Sequence, residues 1–140
     1  MIDIFDLNRF LQAQESTYPY ALRELKEGYK RSHWMWYIFP QMRGLGHSRM
    51  SNYYGISGLE ETKAYLENPI LNQRLREVCE AILGLDTNDA REVFGGIDSL
   101  KLKSSMTLFD LASPDNIFAK VLDKFFDGKR CEKTLAMSNQ

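Results

Sequence analysis

The sequence predicts an all-α fold: a compact, irregular bundle of six to eight helices in one domain that spans residues 1–140. Three observations support this prediction. A chain of 140 residues is the size of a single domain. Hydrophobic residues make up 44% of it and can supply a core. They recur mainly at the spacing of an amphipathic helix, and no repeat or low-complexity segment interrupts them.

The N-terminal residues are predicted to form two helices. An apolar stripe at residues 7–11 marks the first helix. Pro19 suits the first turn of the second, because a helix does not use the N–H group that proline lacks at that position. Gly28 suits the position just after the end of that helix.

The middle of the chain carries further helix boundaries. Ser57 followed by Glu60 has the spacing of a capping box, in which each side chain bonds the other residue's backbone N–H group. Pro69 ends that helix. Apolar residues then follow at helical spacing over 70–83, and Gly84 ends the second helix.

The next segment combines helical and strand-like features. A short helix over 88–94 is expected to close at Gly95 and Gly96. Asp98 could cap the helix that follows. Residues 101–109 alternate partly like a strand, but a helix is favoured because no other segment offers a strand to pair with them.

Two more helices complete the predicted fold. Ser113 followed by Pro114 is typical of a helix start, and Gly128 of a helix end. The aromatic run at 34–39 has strand-like propensity. A lone strand would leave its backbone unpaired, so a short buried helix is favoured.

Composition excludes several classes of protein. The net charge of −1 disfavours a nucleic-acid partner bound by bulk charge. No apolar stretch approaches the ~20 residues that span a bilayer, and no basic segment precedes an apolar one as in a secretory signal. The two cysteines form no CxxC pair, which is typical of reduced thiols in the cytoplasm. The oligomeric state is left open.

Aromatic residues concentrate in one window that has a local excess of positive charge. From residue 28 to residue 59 there is no Asp or Glu, and both tryptophans and both histidines lie there. A loop with Gly44 and Gly46 leads into a helix that Ser48 could cap, an arrangement whose free N–H groups suit a phosphate or carboxylate. Alternatively, the aromatic residues form core and the glycines form turns. The candidate ligand-binding residues here are Lys30, Trp34, Trp36, Gln41, Arg43 and His47.

A second candidate segment runs from residue 95 to residue 109. On a helix, Lys101 lies near both Asp98 and Ser105, and a lysine beside hydroxyl groups can bind an anion or activate a serine. Lys101 is therefore a further candidate for ligand binding, and the candidates for proton transfer or nucleophilic attack are His33, Asp98 and Ser105. Alternatively, the charges form a salt bridge and the hydroxyls bond helix carbonyls. No HExxH or paired-cysteine motif is present, so neither a metal nor a cofactor is expected.

The two cysteines lie in different contexts. Cys79 is on an apolar helical face, which predicts a core position. Cys131 follows Lys129 and Arg130, and nearby cations favour a thiolate, although a cysteine near the terminus can also be incidental.

Both segments resemble the hallmarks of one known family. The string SHWMWYIFPQ at 32–41 is followed by Gly44-Leu45-Gly46, and Phe94-Gly95 is followed by Asp98, Lys101-Leu102 and SSMTLF at 104–109. These are similar to the motifs of the bacterial domain-of-unknown-function family numbered 1810, whose members are sometimes mislabelled calpastatin. The resemblance implies a cytosolic, multihelical, single-domain protein. It implies no established activity and no catalytic residues.

Two functions are consistent with these patterns. In the first, the two segments meet to form a site for a small anionic molecule with a flat part, such as a nucleotide or an ADP-ribose-like compound, with or without catalysis. In the second, the aromatic window is a surface for protein–protein interaction without chemistry. A shared concave pocket favours the first, whereas a flat exposed aromatic patch favours the second.

Overall fold

The computed structural model describes residues 2–113 and 117–138. Within these ranges the chain forms nine α-helices, and the only β-pairing is one isolated parallel bridge between Met42 and Ile56. The helices are α1 (Asn8–Glu27), α2 (Met35–Ile38), α3 (Arg49–Tyr54), α4 (Leu59–Glu67), α5 (Pro69–Leu83), α6 (Ala90–Phe94), α7 (Gly96–Ala112), α8 (Ile117–Phe126) and α9 (Glu132–Ser138). The predicted all-α bundle is confirmed. No helix in the described ranges is long and apolar enough to cross a membrane.

The N-terminal segment forms one helix, so the prediction of two helices divided at Pro19 is wrong. Pro19 lies inside α1 and is exposed. The carbonyl group that loses its partner there can bond water, and packing of α1 along α5 and α2 holds the helix continuous. The predicted end at Gly28 is confirmed, since Gly28 is left-handed with φ of 83°.

Helices α5 and α7 form the centre of the bundle. The predicted apolar face of α5 is buried at Leu71, Leu75, Val78, Cys79 and Ile82. Asn68 caps α5, and Pro69 occupies its first turn. Helix α7 contacts α4, α6, α8 and α9. Residues on most of its circumference are therefore buried, and the strand-like alternation at 101–109 reflects this burial in a helix.

Two predicted caps are wrong in detail. Helix α4 begins at Leu59, and Glu61 rather than Glu60 accepts hydrogen bonds from the backbone N–H and hydroxyl of Ser57. Asp98 does not cap α7, because that helix already begins at Gly96 and places Asp98 inside its first turn. In both cases the backbone turns into the helix at a glycine rather than at a capping side chain.

The remaining predictions concern short helices. The aromatic run at 34–39 contains α2, and Ser48 caps α3 by accepting a hydrogen bond from the N–H of Ser51, as predicted. The predicted start at Pro114 lies outside the described residues, and Gly128 follows the end of α8 as predicted. Helix α9 was not predicted. It packs on α7 and forms one wall of the site described next.

Candidate functional site

A cleft of about 770 Å³ opens where α7, the end of α2 and the start of α9 come together. Three segments of the chain line it. The first contributes Trp36, Gln41, Leu45 and Gly46; the second Ile97, Leu100, Lys101, Lys103 and Ser104; and the third Lys129, Arg130, Cys131, Glu132, Lys133 and Leu135. The two segments singled out from the sequence therefore share one concave surface.

The loop after α2 is held against the cleft by backbone pairing. The carbonyl of Gln41 accepts a hydrogen bond from the N–H of Ile56, and the N–H of Arg43 donates one to the carbonyl of Ile56. Gly44 has φ of 104°, a conformation that side chains rarely adopt, and this turn redirects the loop toward Leu45 and Gly46. The glycine-containing loop thus has a defined shape.

The cleft has a strong excess of positive charge. Five of its lining residues are cationic and one, Glu132, is a carboxylate. Arg130 pairs with Asp110 at 3.1 Å. Within residues 2–113 and 117–138, Lys103, Lys129 and Lys133 form no ion pair. Their charges are left for solvent or for a ligand.

A half-buried acidic group fixes the fourth lysine of the cleft. The carboxylate of Asp98 lies 3.1 Å from Nζ of Lys101 and 2.9 Å from Nζ of Lys30. The ammonium group of Lys101 also lies 3.9 Å from the centre of the Trp36 ring, a cation–π contact. Lys101 and Trp36 are thereby held together in one arrangement.

The electrostatics of Asp98 keep it ionised. Partial burial alone raises the pKa of this carboxyl group, but hydrogen bonds from Lys30 and Lys101 outweigh it and hold the pKa below its ordinary value. At neutral pH Asp98 is therefore a carboxylate that positions cations. It does not act as a proton donor in this state.

The third wall of the cleft presents a thiol. Cys131 is half-buried, and its Sγ lies 3.3 Å from Oγ of Ser104 on α7. Its backbone N–H donates to Oγ1 of Thr107 at 3.0 Å, which ties this segment to α7. Cys131 therefore has a fixed place in the lining, which it shares with the cationic residues.

The surroundings of Cys131 favour its ionised form. Partial burial raises the pKa of the thiol. The hydrogen bond from the Ser104 hydroxyl, the nearby Thr134 hydroxyl and the backbone N–H groups of Lys133 and Thr134 together lower the pKa by more than burial raises it. The net pKa lies below the ordinary value for cysteine. By contrast, burial raises the pKa of Cys79, which lies in the core as predicted.

The structure brings only part of the predicted site together. Trp36, Gln41 and Lys101 line the cleft, and Lys30 and Asp98 support Lys101 from behind. Direct contacts among Lys30, Trp36, Asp98 and Lys101 connect the two sequence segments.

Two other predicted residues are inaccessible. Trp34 is fully buried, and its indole N–H donates to Glu24, so its ring packs in the core rather than facing a ligand. Ser105 is also fully buried, and its hydroxyl has no hydrogen-bond partner among the described residues. Helix α7 turns Ser104, not Ser105, toward the cleft.

Three exposed residues lie away from the lining. His33, Arg43 and His47 are on the surface and do not line the cleft. Arg43 instead donates a hydrogen bond to the carbonyl of Gly55. Their predicted roles in catalysis or binding find no support in this geometry.

Sequence reasoning missed most of the third wall. The signal in the sequence is the cluster of basic residues at 129–133 around Cys131. Its importance depends on α9, because that helix carries Lys133 and Leu135 to the edge of α7.

Comparison with known proteins identifies the family. The sequence model described as a protein of unknown function (DUF1810) matches residues 4–138. The chain belongs to the DUF1810 family. The resemblance noted from the two motifs is thereby confirmed.

A solved structure gives the DUF1810 fold independent support. The chain is similar to the conserved hypothetical protein Rv1873 from Mycobacterium tuberculosis, with 44% sequence identity, a TM-score of 0.96 and coverage of 99% of each chain. No curated protein matches it. The family and the fold are therefore known, and the function must be argued from the cleft.

Proposed function

We propose that the cleft binds a small anionic molecule with a flat ring, such as a nucleotide or an ADP-ribose-like compound. The observation that carries this proposal is the concentration of five cationic lining residues beside Trp36, in a chain whose net charge is −1. A cleft lined by one sign of charge attracts ligands of the opposite sign.

The lining divides into a charged part and an apolar part. Lys103, Lys129 and Lys133 offer uncompensated ammonium groups to phosphate or carboxylate oxygens. The exposed side chains of Ile97 and Leu100 and the half-buried ring of Trp36 offer an apolar surface to a planar group. A molecule with an anionic part and a planar part would match the charged and the apolar parts of the lining.

The shape of the site supports small-molecule binding over the alternative of a protein–protein interaction module. Small ligands bind in concave clefts of several hundred Å³ with few polar groups that converge. Five of the seven aromatic rings in the window are buried or packed against the core, whereas Tyr29 and Tyr53 are exposed. Both cysteines are free thiols, which supports the proposal that the protein acts in the cytoplasm.

The test is to titrate ADP-ribose and ADP by calorimetry and by tryptophan fluorescence. With two tryptophans in the chain, Trp36 in the cleft and Trp34 in the core, the fluorescence change is expected to come from Trp36. Trp36→Phe should remove it. Lys103→Gln should weaken binding by about tenfold, because one uncompensated charge contacting an anion contributes roughly 1.4 kcal/mol.

A matched control separates local from general charge effects. Lys63 is an exposed lysine on α4, outside the cleft, and Lys63→Gln should bind ADP-ribose like the unaltered protein. Pyrophosphate and adenosine test the charged and planar parts separately. The proposal is refuted if none of ADP-ribose, ADP and pyrophosphate binds. It is also refuted if Lys103→Gln and Lys63→Gln weaken ADP-ribose binding equally.

A further inference from the structure

We propose that Cys131 is a site of reversible covalent modification, where its sulfur attacks small anionic disulfides that the cations of the cleft hold in place. The proposal rests on the anion binding proposed above for the same cleft. It adds a nucleophile and a chemical class of reactant: low-molecular-weight disulfides that carry carboxylates.

The first observation that supports this inference is the position of the sulfur atom. Cys131 lines the cleft with Lys129, Arg130 and Lys133 as near neighbours in the chain, and Lys103 and Ser104 lie across from it on α7. Cys79, the other thiol, is fully buried in the core. An anionic reactant in the cleft therefore meets one sulfur atom.

An unpartnered hydroxyl group points to the same place. Thr134 is fully buried, and its Oγ1 has no hydrogen-bond partner among the described residues. It lies close enough to Cys131 to favour the ionised sulfur. A buried hydroxyl without an acceptor is unfavourable, and a thiolate at Cys131 would provide that acceptor.

The lining favours disulfide exchange over acyl transfer. Among the described residues that line the cleft there is no histidine, and Glu132 is the only carboxylate. Expulsion of an amine or alkoxide usually needs a positioned general acid. A leaving thiolate needs none, and the neighbouring ammonium groups stabilise its charge.

The reaction balances without another reagent. The Cys131 thiolate forms a bond to one sulfur of the disulfide, the original S–S bond breaks, and its electron pair leaves with the second sulfur as a thiolate. Cys131 is oxidised and the leaving half is reduced, with no net transfer of a proton. A free thiol in excess reverses the modification by the same step.

The experiment uses the full reduced chain and two disulfides of opposite charge. Oxidised glutathione carries carboxylates, and cystamine carries ammonium groups. Intact mass and peptide mapping should find one glutathionyl group on Cys131 and none on Cys79, and Cys131→Ser should remove it. The ratio of the glutathione rate to the cystamine rate should be about tenfold higher in the folded chain than in the chain unfolded by urea, because a cationic cleft concentrates the anionic reactant.

Two variants test how the site works. Replacing both Lys129 and Lys133 by Gln should lower that rate ratio toward the value of the unfolded chain, whereas Lys63→Gln should leave it unchanged. Ser104→Ala should shift the midpoint of the pH–rate profile for cystamine upward, because it removes a hydrogen bond to the thiolate. A loss of folding alone would not shift this midpoint in the correctly folded fraction.

The outcomes separate this proposal from the proposed function. If ADP-ribose binds to the reduced protein but Cys131 does not react, the thiol proposal fails and the proposed function stands. If Cys131 reacts at the same rate ratio in the folded and unfolded chains, charge recruitment is overturned. Modification of Cys79 before Cys131 would also overturn the proposal.

Discussion

The carboxylate of Glu24 anchors the start of the aromatic segment through four hydrogen bonds. It accepts them from the backbone N–H groups of Arg31 and Ser32, from the Ser32 hydroxyl and from the indole N–H of Trp34. Burial raises the pKa of this group, but the four hydrogen bonds dominate and lower the pKa to about 2. Glu24 therefore stabilises the fold as an anion.

The first prediction is that Glu24→Gln lowers the free energy of unfolding near neutral pH by about 2–3 kcal/mol. The pKa of Glu24 is lower in the folded chain than the ordinary value of 4.5. Its stabilising effect is therefore complete above pH 4.5 and is lost as the pH falls toward 2. Urea unfolding should show a large difference from the unaltered protein near pH 7 and a small one near pH 2.

Glu27 provides the control for this prediction. Its side chain is 49% exposed and pairs with Arg31 on the surface of the protein. Glu27→Gln should change the unfolding free energy by less than about 1 kcal/mol at every pH. Equal effects of the two substitutions would show that Glu24 has no special role.

At the scale of single residues, the sequence predicted which two segments form the site but not which of their side chains face the cleft. Trp34 and Trp36 are two positions apart, yet one is fully buried against Glu24 and the other lies half-buried beside Lys101. Ser104 and Ser105 are both buried, but Ser104 lines the cleft and Ser105 does not. Which neighbour faces the cleft depends on where α2 and α7 begin, and no capping side chain marks either start in the sequence.

At the scale of elements, Arg9 joins the start of α1 to the start of α4. Its guanidinium group pairs with Glu61 at 2.6 Å, and both side chains are almost fully buried. Arg9 also donates hydrogen bonds to the carbonyl groups of Phe5, Asp6, Tyr53 and Gly55. One side chain thereby satisfies backbone carbonyl groups that precede α1 and others at the end of α3.

The second prediction concerns this connection. Arg9→Met should lower the unfolding free energy by about 3–5 kcal/mol, because it leaves the Glu61 carboxylate buried without its cation. Arg23→Met is the control on the same helix, since Arg23 is exposed and lies over the ring of Tyr20. Thermal unfolding followed by circular dichroism measures both. A loss for Arg9→Met as small as that for Arg23→Met would contradict the prediction.

The third prediction tests the close approach of two loops near the cleft. A Cβ atom on Gly55 would lie 2.7 Å from the Cα atom of Arg43 and from the carbonyl oxygen of Ser51. Gly55→Ala should therefore lower the unfolding free energy by about 1–3 kcal/mol. At Gly58, no atom lies within 4 Å of the corresponding Cβ position and the backbone is extended. Gly58→Ala should change stability by less than about 0.5 kcal/mol in urea unfolding, and an equal loss at both positions would refute the argument.

Helical periodicity predicted the long elements well, because burial of one face repeats every 3.6 residues in α5 and α8. It failed where packing overrides a local rule. Pro19 is tolerated inside α1 because the residue is exposed and neighbouring helices support both sides. Helix α9 escaped prediction because it is short and Thr134 is the buried residue on it.

At the scale of the whole molecule, folding brings cationic side chains from separate segments of the chain into one cleft. The chain has a net charge of −1 but forms a cleft with five cations, which come from α7 and from residues 129–133 nearer the C-terminus. The acid-free window at 28–59 pointed to the correct region but contributes no cation to the lining itself. Its basic residues lie on the surface or, as with Lys30, behind Asp98. The sequence alone does not indicate that residues 129–135 lie opposite residues 97–104 across the cleft.

The fourth prediction follows from this distribution of charge. Raising the NaCl concentration from about 50 mM to about 500 mM shortens the screening length severalfold and should weaken ADP-ribose binding by about threefold or more. Adenosine, which has no anionic part, should bind with nearly the same affinity at both concentrations. The free energy of unfolding should change far less than the binding does, because its main charged support, the Arg9–Glu61 pair, is buried from salt. Calorimetry and urea unfolding at matched salt concentrations provide both measurements. If ADP-ribose and adenosine respond equally to salt, the cations of the cleft do not bind the anionic part of the ligand.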